Sequence, residues 1–283
     1  MKSIQERLQT ASHKWNLTKI VSIYEQESRG VYCADSAEFG PAILKINTNS
    51  DSLAREFHTL TDMKGTACCQ VYEFDHMNGL LLEERILPGT ALKQEPDWEK
   101  RAAGFAKVFE EIHTLPKDST NYSSYLNWVQ KACRSVENQE NKELSDGMHL
   151  AVAIAENMFK KYPEKELLHG DLHHENILQN ESGNYVIVDP KGVIGPPVFD
   201  IPRYVLNELD DRDDSQQEIH IDKVIQTLSR LLKYSVNDIY QLFFMEVMLA
   251  NAWNFESGEA LEENDINFAW KVISARHLEN APE

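Results

Sequence analysis

His169-Gly170-Asp171-Leu172-His173-His174-Glu175-Asn176 and the nearby Ile187-Val188-Asp189-Pro190-Lys191-Gly192 constrain this chain more than any other stretch. Chemically they give H-x-D, an Asn five residues after that Asp, and a second Asp thirteen residues after the Asn. Leu167 and Leu168 precede the first piece, and Ile177-Leu178 and Tyr185-Val186-Ile187-Val188 lie between the two. The interval Glu181-Ser182-Gly183-Asn184 reads as a turn between two short strands, so a hairpin is predicted. A hairpin carries the Asp171–Asn176 loop and Asp189 to one edge. Three oxygen-bearing side chains then converge, as a base and a magnesium site for phosphoryl transfer require.

The run from His169 to Asn176 is similar to the catalytic loop shared by protein kinases and by antibiotic and small-molecule kinases. The paired histidines after the Asp look like the small-molecule branch. Val188 to Gly195, with Phe199-Asp200 behind it, resembles the D-P-K-G-x-x-G…F-D stretch of the streptomycin 6-kinase and hydroxyurea-resistance kinase family, in the aminoglycoside phosphotransferase superfamily. The likeness is strongest over residues 167–201. It implies an α+β, protein-kinase-like bilobal fold, with a small antiparallel-sheet lobe over 1–86 that binds nucleotide and a larger, mainly helical lobe over 87–283. It also implies ATP- and Mg²⁺-dependent phosphorylation of a hydroxyl on a small, cationic molecule. Streptomycin leads; hydroxyurea, other aminoglycosides, amino alcohols and sugars are alternatives within the class. A nucleotide-binding pseudokinase is a rival reading, which intact Lys45, Asp171, Asn176 and Asp189 oppose. A protein kinase is another, opposed by Pro190 where those enzymes carry an apolar aromatic, and by Gly195-Pro196-Pro197 in place of Ala-Pro-Glu.

Composition agrees with this class. With 28 Lys and Arg against 46 Asp and Glu, the 283-residue chain has a net charge of −18, which argues against nucleic acid or an anionic membrane as partner. Acidity is compatible with a cationic substrate, although taken alone it reads first as a device for solubility. No apolar run reaches the roughly eighteen residues of a membrane span, and the start is polar, unlike a signal peptide. Cys33, Cys68, Cys69 and Cys133 show no metal-binding spacing and read as reduced thiols of a cytoplasmic protein.

Along the chain, periodicity predicts a helix over 4–15, strands over 19–24, 30–34 and 41–46, a helix over 52–63, and strands over 70–74 and 80–84. Ile86-Leu87-Pro88-Gly89 is the expected connection between lobes. Helices follow over 97–113, 123–138, 144–161, 198–208, 217–234, 236–256 and 265–278. Gln241–Leu249 is apolar nearly all round apart from Glu246, which marks a central helix. The charge run from Asp210 to Ser215 reads as a solvated loop.

Asp171 is the expected catalytic base, accepting a hydrogen bond from the acceptor hydroxyl. Asn176 and Asp189 are the magnesium ligands the resemblance implies, His169 braces the loop, and Asp200 supports its backbone. Three histidines in one loop raise zinc, but no thiolate accompanies them and the neighbouring oxygens suit magnesium. Lys191 could reach a phosphate or a carboxylate, or be solvated. Lys45, the sole charge in Ala-Ile-Leu-Lys-Ile, fits a lysine facing the cleft to bind phosphate oxygens, with Glu56 as partner or as a solvated residue. Kinase spacing assigns adenine recognition to the carbonyl of Glu84 and the amide of Ile86. Glu25–Gly30, the expected phosphate loop, holds one glycine instead of three. For a cationic acceptor the candidates are Glu246, Trp253 and Glu256. An internal salt bridge is the alternative for Glu246, and a core position for Trp253.

Overall fold

Alternation of apolar side chains builds the first lobe. The computed structural model describes residues 2–137, 141–209 and 214–278. Helix α1 (Ile4–Lys14) is opened by a Ser3/Glu6 capping box, then β1 (Leu17–Glu25), β2 (Arg29–Ser36) and β3 (Gly40–Asn47) form an antiparallel meander. Helix α2 (Ser50–Asp62), capped by Asn49, leads to β4 (Val71–Asp75) and β5 (Leu80–Glu84), and the sheet order is β1-β2-β3-β5-β4. Tyr32 and Ala34 on β2 and Ala42, Leu44 and Ile46 on β3 turn one face of the sheet onto Ile4, Ala11 and Trp15. A strand has a period of two, so Ile43 and Lys45 take the other face, which looks into the cleft. On α2, Leu53, Glu56 and Leu60 lie buried on a single side.

The second lobe is helical: α3 (Trp98–Ile112), α4 (Tyr125–Val136), α5 (Lys142–Lys161), α6 (Ile201–Asn207), α7 (Asp214–Leu232), α8 (Val236–Glu256) and α9 (Glu263–Ser274). Every residue of α8 from Asp238 to Leu249 is buried, and the helix packs against α4, α5, α6, α7 and α9. This is the centrality its apolar circumference predicts. Phe243, Phe244 and Leu242 are fully buried, and each such side chain contributes roughly 1.5–3 kcal/mol through burial. The acidic run over 210–215 lies outside the described residues except for the start of the α7 backbone. Among the described residues no helix is long and apolar enough to cross a membrane.

Short strands between the helices carry the site. The chain after β5 is not a free connector: Pro88–Ala91 form β6, which pairs with β8 (Ile177–Asn180), and β8 with β9 (Tyr185–Ile187). The predicted hairpin is thus present, turning over residues 181–184. Strand β7 (Glu166–Leu168) enters the 169–176 loop, and β10 (Val193–Gly195) leaves the 188–192 loop and pairs back on β7.

Candidate active site

Closing β10 onto β7 lays the two loops side by side. The Val188 amide donates to the Asn176 carbonyl at 3.0 Å, and the Lys191 amide to the His169 carbonyl at 2.8 Å. Between these bonds Asp189 adopts a left-handed conformation, φ 60°, which Asp tolerates better than most residues. Gly192 is also left-handed at φ 66°, and a Cβ there would collide with the Thr59 hydroxyl of α2. The loop therefore packs tightly under the first lobe.

Asp200 lies beneath the 169–176 loop, 1% exposed. Its carboxylate accepts from the amides of His169 and Gly170, both at 2.8 Å, and lies 3.0 Å from His113 Nε2. His169 is fully buried, with Nε2 3.0 Å from the Val188 carbonyl and Nδ1 accepting from the Asp171 amide at 3.1 Å. Burial keeps this imidazole neutral, below its usual pKa. The Asn176 amide donates to the Asp171 carbonyl at 3.0 Å, which fixes the amide plane, but Asn176 is not among the residues that line the cavity described below. His173 is pushed down to about 4, by burial first, despite Asp171 at 3.9 Å. His174 Nε2 lies 3.0 Å from the Asn207 carbonyl. Among the described residues no three His, Cys, Asp or Glu side chains gather as a metal site.

Charges alternate across the cleft. Lys45 Nζ contacts Glu56, Glu83 at 3.0 Å and Asp189 at 3.1 Å. Lys191 Nζ contacts Asp189 and lies 3.8 Å from Asp171. Arg203 of α6 donates through Nε to Asp171 at 2.9 Å, and its Nη1 reaches Glu246 at 3.4 Å. Three carboxylates surround one ammonium at Lys45. Burial, with Glu83 and Asp189 adding to it, pushes Glu56 up to about 8 against the pull of Lys45, and burial raises Glu83 in the same direction. Asp189 goes the other way: burial opposes its ionisation, but Lys45 and Lys191 prevail and hold it well below the carboxylate range. Desolvation would lower Lys45, yet its three carboxylates keep it charged.

Of the residues proposed from sequence, Lys45, Glu56, Asp171, Asp189, Trp253 and Glu256 line one cavity of about 770 Å³. Glu84 and Ile86 are not among its described lining; Glu84 ends β5, its amide bonded to the Gln70 carbonyl, and Ile86 is buried beyond it. Glu246 as a substrate ligand is corrected. It is 1% exposed, accepts from the Tyr125 hydroxyl at 2.8 Å and pairs with Arg203, away from the cavity lining. An apolar helix tolerates that carboxylate because two buried donors satisfy it. One wall of the cavity instead carries Trp128 and Trp253, edge to face at 5.9 Å, with Lys131 and Glu256.

Sequence reasoning missed Glu83, Arg203 and Arg29. Glu83 had a usable signal: it pairs with Ile43, two residues before Lys45, so strand parity puts it on the lysine's face. Arg203 had none. Arg29 opens β2, just after the glycine-poor turn from β1, its guanidinium 5.2 Å from the Tyr24 ring centroid and Nε donating to the Tyr24 hydroxyl at 3.2 Å. Gly30 follows because a Cβ there would come within 2.7 Å of the Tyr32 ring. The cavity's lining is of mixed charge, with Arg29, Lys45, Arg55, Lys131, Lys191 and Arg203 outnumbering Glu56, Asp171, Asp189 and Glu256 in an otherwise acidic protein.

Known proteins bear on this arrangement. Streptomycin 6-kinase of Streptomyces griseus is 23% identical over 194 residues, 66% of this chain and 62% of its own length. Hydroxyurea phosphotransferase of Kitasatospora aureofaciens is 29% identical over 185 residues, 62% of this chain and 52% of its own length. The chain therefore spans less than two thirds of each of these relatives. Among solved structures, aminoglycoside phosphotransferase APH(4)-Ia, a thermostable mutant in ternary complex with ADP and hygromycin B, superposes with a TM-score of 0.67 at 12% identity, covering 97% of this chain and 99% of that one. Choline kinase LicA from Streptococcus pneumoniae gives 0.67 at 14% identity over 94% and 97%. At such identities the likeness is one of fold, an antiparallel-sheet lobe over a helical lobe. The family described as aminoglycoside/hydroxyurea antibiotic resistance kinase matches residues 14–258, most of the chain. The chain belongs to that family.

Proposed function

We propose that this chain transfers the γ-phosphoryl group of ATP to a hydroxyl of a small molecule, with residues 1–86 serving the nucleotide and 87–283 the acceptor. The observation that carries the reading is Asp171 and Asp189, on adjacent pinned loops, facing one cavity with the Lys45–Glu56 pair. Asp171 would orient the acceptor hydroxyl and take its proton, and the Arg203 contact fixes which carboxylate oxygen remains for that hydroxyl. Lys45 would hold the α/β-phosphate oxygens, kept charged by its carboxylates. Asn176 and Asp189 fit Mg²⁺ in donor chemistry, since both offer oxygen and an ammonium already rests on Asp189. When bound, the ion would neutralise phosphate charge.

For the acceptor, the tryptophan pair and Glu256 support a cationic, hydroxylated molecule, with streptomycin leading. Hydroxyurea and amino alcohols are the alternatives, since relatives and structural neighbours of those names share the family or the fold. The test is coupled ADP release over streptomycin, other aminoglycosides, hydroxyurea, choline and simple sugars. Acceptor-dependent release that Asp171→Asn abolishes supports the reading. Nucleotide-dependent thermal stabilisation with no release on any acceptor would make the chain a nucleotide-binding protein without transfer. Absence of both overturns the reading.

A further inference from the structure

Three cations contact the two functional carboxylates, and they are not equivalent. Lys45 keeps Glu56 and Glu83 behind it, and Arg203 keeps Glu246. Lys191, among the described residues, has Asp189 and Asp171 as its ion-pair partners and no third. Its backbone is pinned by the bond to the His169 carbonyl, while its side chain is 44% exposed to the cleft. Cα is therefore fixed and the ammonium is held by electrostatics.

We propose that Lys191 is an exchangeable internal cation, whose ammonium occupies the space between Asp189 and Asp171 until a divalent metal and nucleotide displace it onto the transferring phosphoryl group. The inference rests on the functional reading above and extends it to a residue that reading leaves without a task. Asp189 cannot serve a divalent ion and keep the Lys191 ammonium in contact, because like charges a few ångströms apart repel strongly in a partly buried site. Lys45 and Arg203 retain their buried counter-charges when the metal arrives, so neither has reason to move. Lys191 loses its partners, and a flexible four-carbon stem lets its ammonium follow the negative charge to the nucleotide. In the empty cleft the same ammonium keeps two carboxylates from repelling each other.

Competition and catalysis then move in opposite directions, which a merely solvated or structural lysine would not produce. The experiment titrates Mn²⁺ into the full chain without nucleotide, following the free-ion electron paramagnetic resonance signal, for wild type, Lys191→Met, Lys191→Arg and the double variant Asp189→Ala/Lys191→Met. Lys191→Met is expected to bind Mn²⁺ about tenfold more tightly than wild type, the competitor having been removed, while Lys191→Arg stays near wild type. Turnover of Lys191→Met at saturating Mn²⁺, nucleotide and acceptor is expected to fall about a hundredfold, with acceptor KM little changed. Metal affinity in Lys191→Met no greater than wild type overturns the exchange. Tighter metal binding with unchanged kcat overturns the movement to the phosphoryl group. The double variant separates this failure from that of the underlying site: if its Mn²⁺ affinity equals that of Lys191→Met, the metal is not at Asp189 and the functional reading fails there. A melting curve on each variant identifies any that does not fold, and Lys191→Gln then replaces Lys191→Met.

Discussion

Two buried ionic clusters differ in how they are closed. In the helical lobe, Glu208 is 3% exposed and accepts from Arg101 at 2.8 and 2.7 Å, from the Tyr204 hydroxyl at 3.0 Å, and faces His220 Nε2 at 3.0 Å. Both of its oxygens are doubly engaged, and the partners come from α3, α6 and α7. Burial opposes ionisation, yet His220, Arg101 and Tyr204 bring the carboxyl down to about 2. Around Lys45 the count is reversed: three carboxylates share one ammonium, Glu56 rises to about 8, and the Glu83 Oε2 oxygen is buried without a hydrogen bond. The first cluster is neutral, saturated and internal. The second crowds its carboxylates, leaves an acceptor oxygen unfilled, shares Asp189 between two ammoniums, and faces a cavity. A satisfied ion pair locks packing, whereas an unsatisfied one stores an affinity for whatever cation completes it.

The largest effect should come from the unsaturated side. Asp171→Asn is expected to lower kcat by about 10²–10⁴-fold in the ADP-release assay, with ATP still stabilising the protein thermally. Wild-type turnover in this variant would remove Asp171 from the role of base. Glu208→Gln probes the saturated side. It leaves Arg101 buried with a weakened partner and should cost about 3–5 kcal/mol in urea unfolding, without changing kcat of the folded enzyme. A kcat loss with intact stability would show that the two clusters are not functionally separate.

Glu246→Gln sharpens the boundary, because Glu246 is buried like Glu208 yet touches Arg203 beside Asp171. The expected result is a loss of about 1–3 kcal/mol of stability with acceptor KM unchanged. A raised acceptor KM at unaltered melting temperature would restore it to the substrate site. A further effect concerns pH. Glu56 has a folded pKa above its unfolded one, so between about 4.5 and 8 the folded state holds more protons and stability falls as pH rises. Glu208 has a folded pKa below its unfolded one, so its contribution is complete above roughly 4.5 and is lost as pH falls towards 2. Denaturation across pH 3–9 should show Glu56→Gln flattening the alkaline slope and Glu208→Gln the acid slope. Identical profiles for both variants would contradict the assigned shifts.

Legibility from sequence follows chain distance. The hairpin and the proximity of Asp171, Asn176 and Asp189 could be read because a few residues of strand separate them, and α8 because its whole circumference is apolar. Lys45 and Glu56 were readable as neighbours across one strand and one helix turn. Strands β6, β7 and β10 were not, since three or four residues carry no usable period and, unlike β8 and β9, they have no local turn that joins them to their partners. Arg203 and Glu246 lie 43 residues apart and meet through packing of α6 on α8, which no local pattern encodes. Glu246 looked like an orphan charge in an apolar helix for that reason.

A cavity whose lining cations outnumber its carboxylates, within an acidic protein, also governs encounter. A nucleotide approaching from solution meets a net charge of −18 before it meets Arg29, Lys45 or Lys191. Far from the surface the field repels it, and only within the cleft does attraction take over. Salt shortens the reach of the repulsion from about 30 Å at 0.01 M to about 8 Å at 0.15 M, while the recessed cations are screened less. The association rate of nucleotide should therefore rise with moderate ionic strength, the reverse of ordinary electrostatic steering. If the acceptor is cationic, as proposed above, the same outer field draws it in and the same salt should slow it.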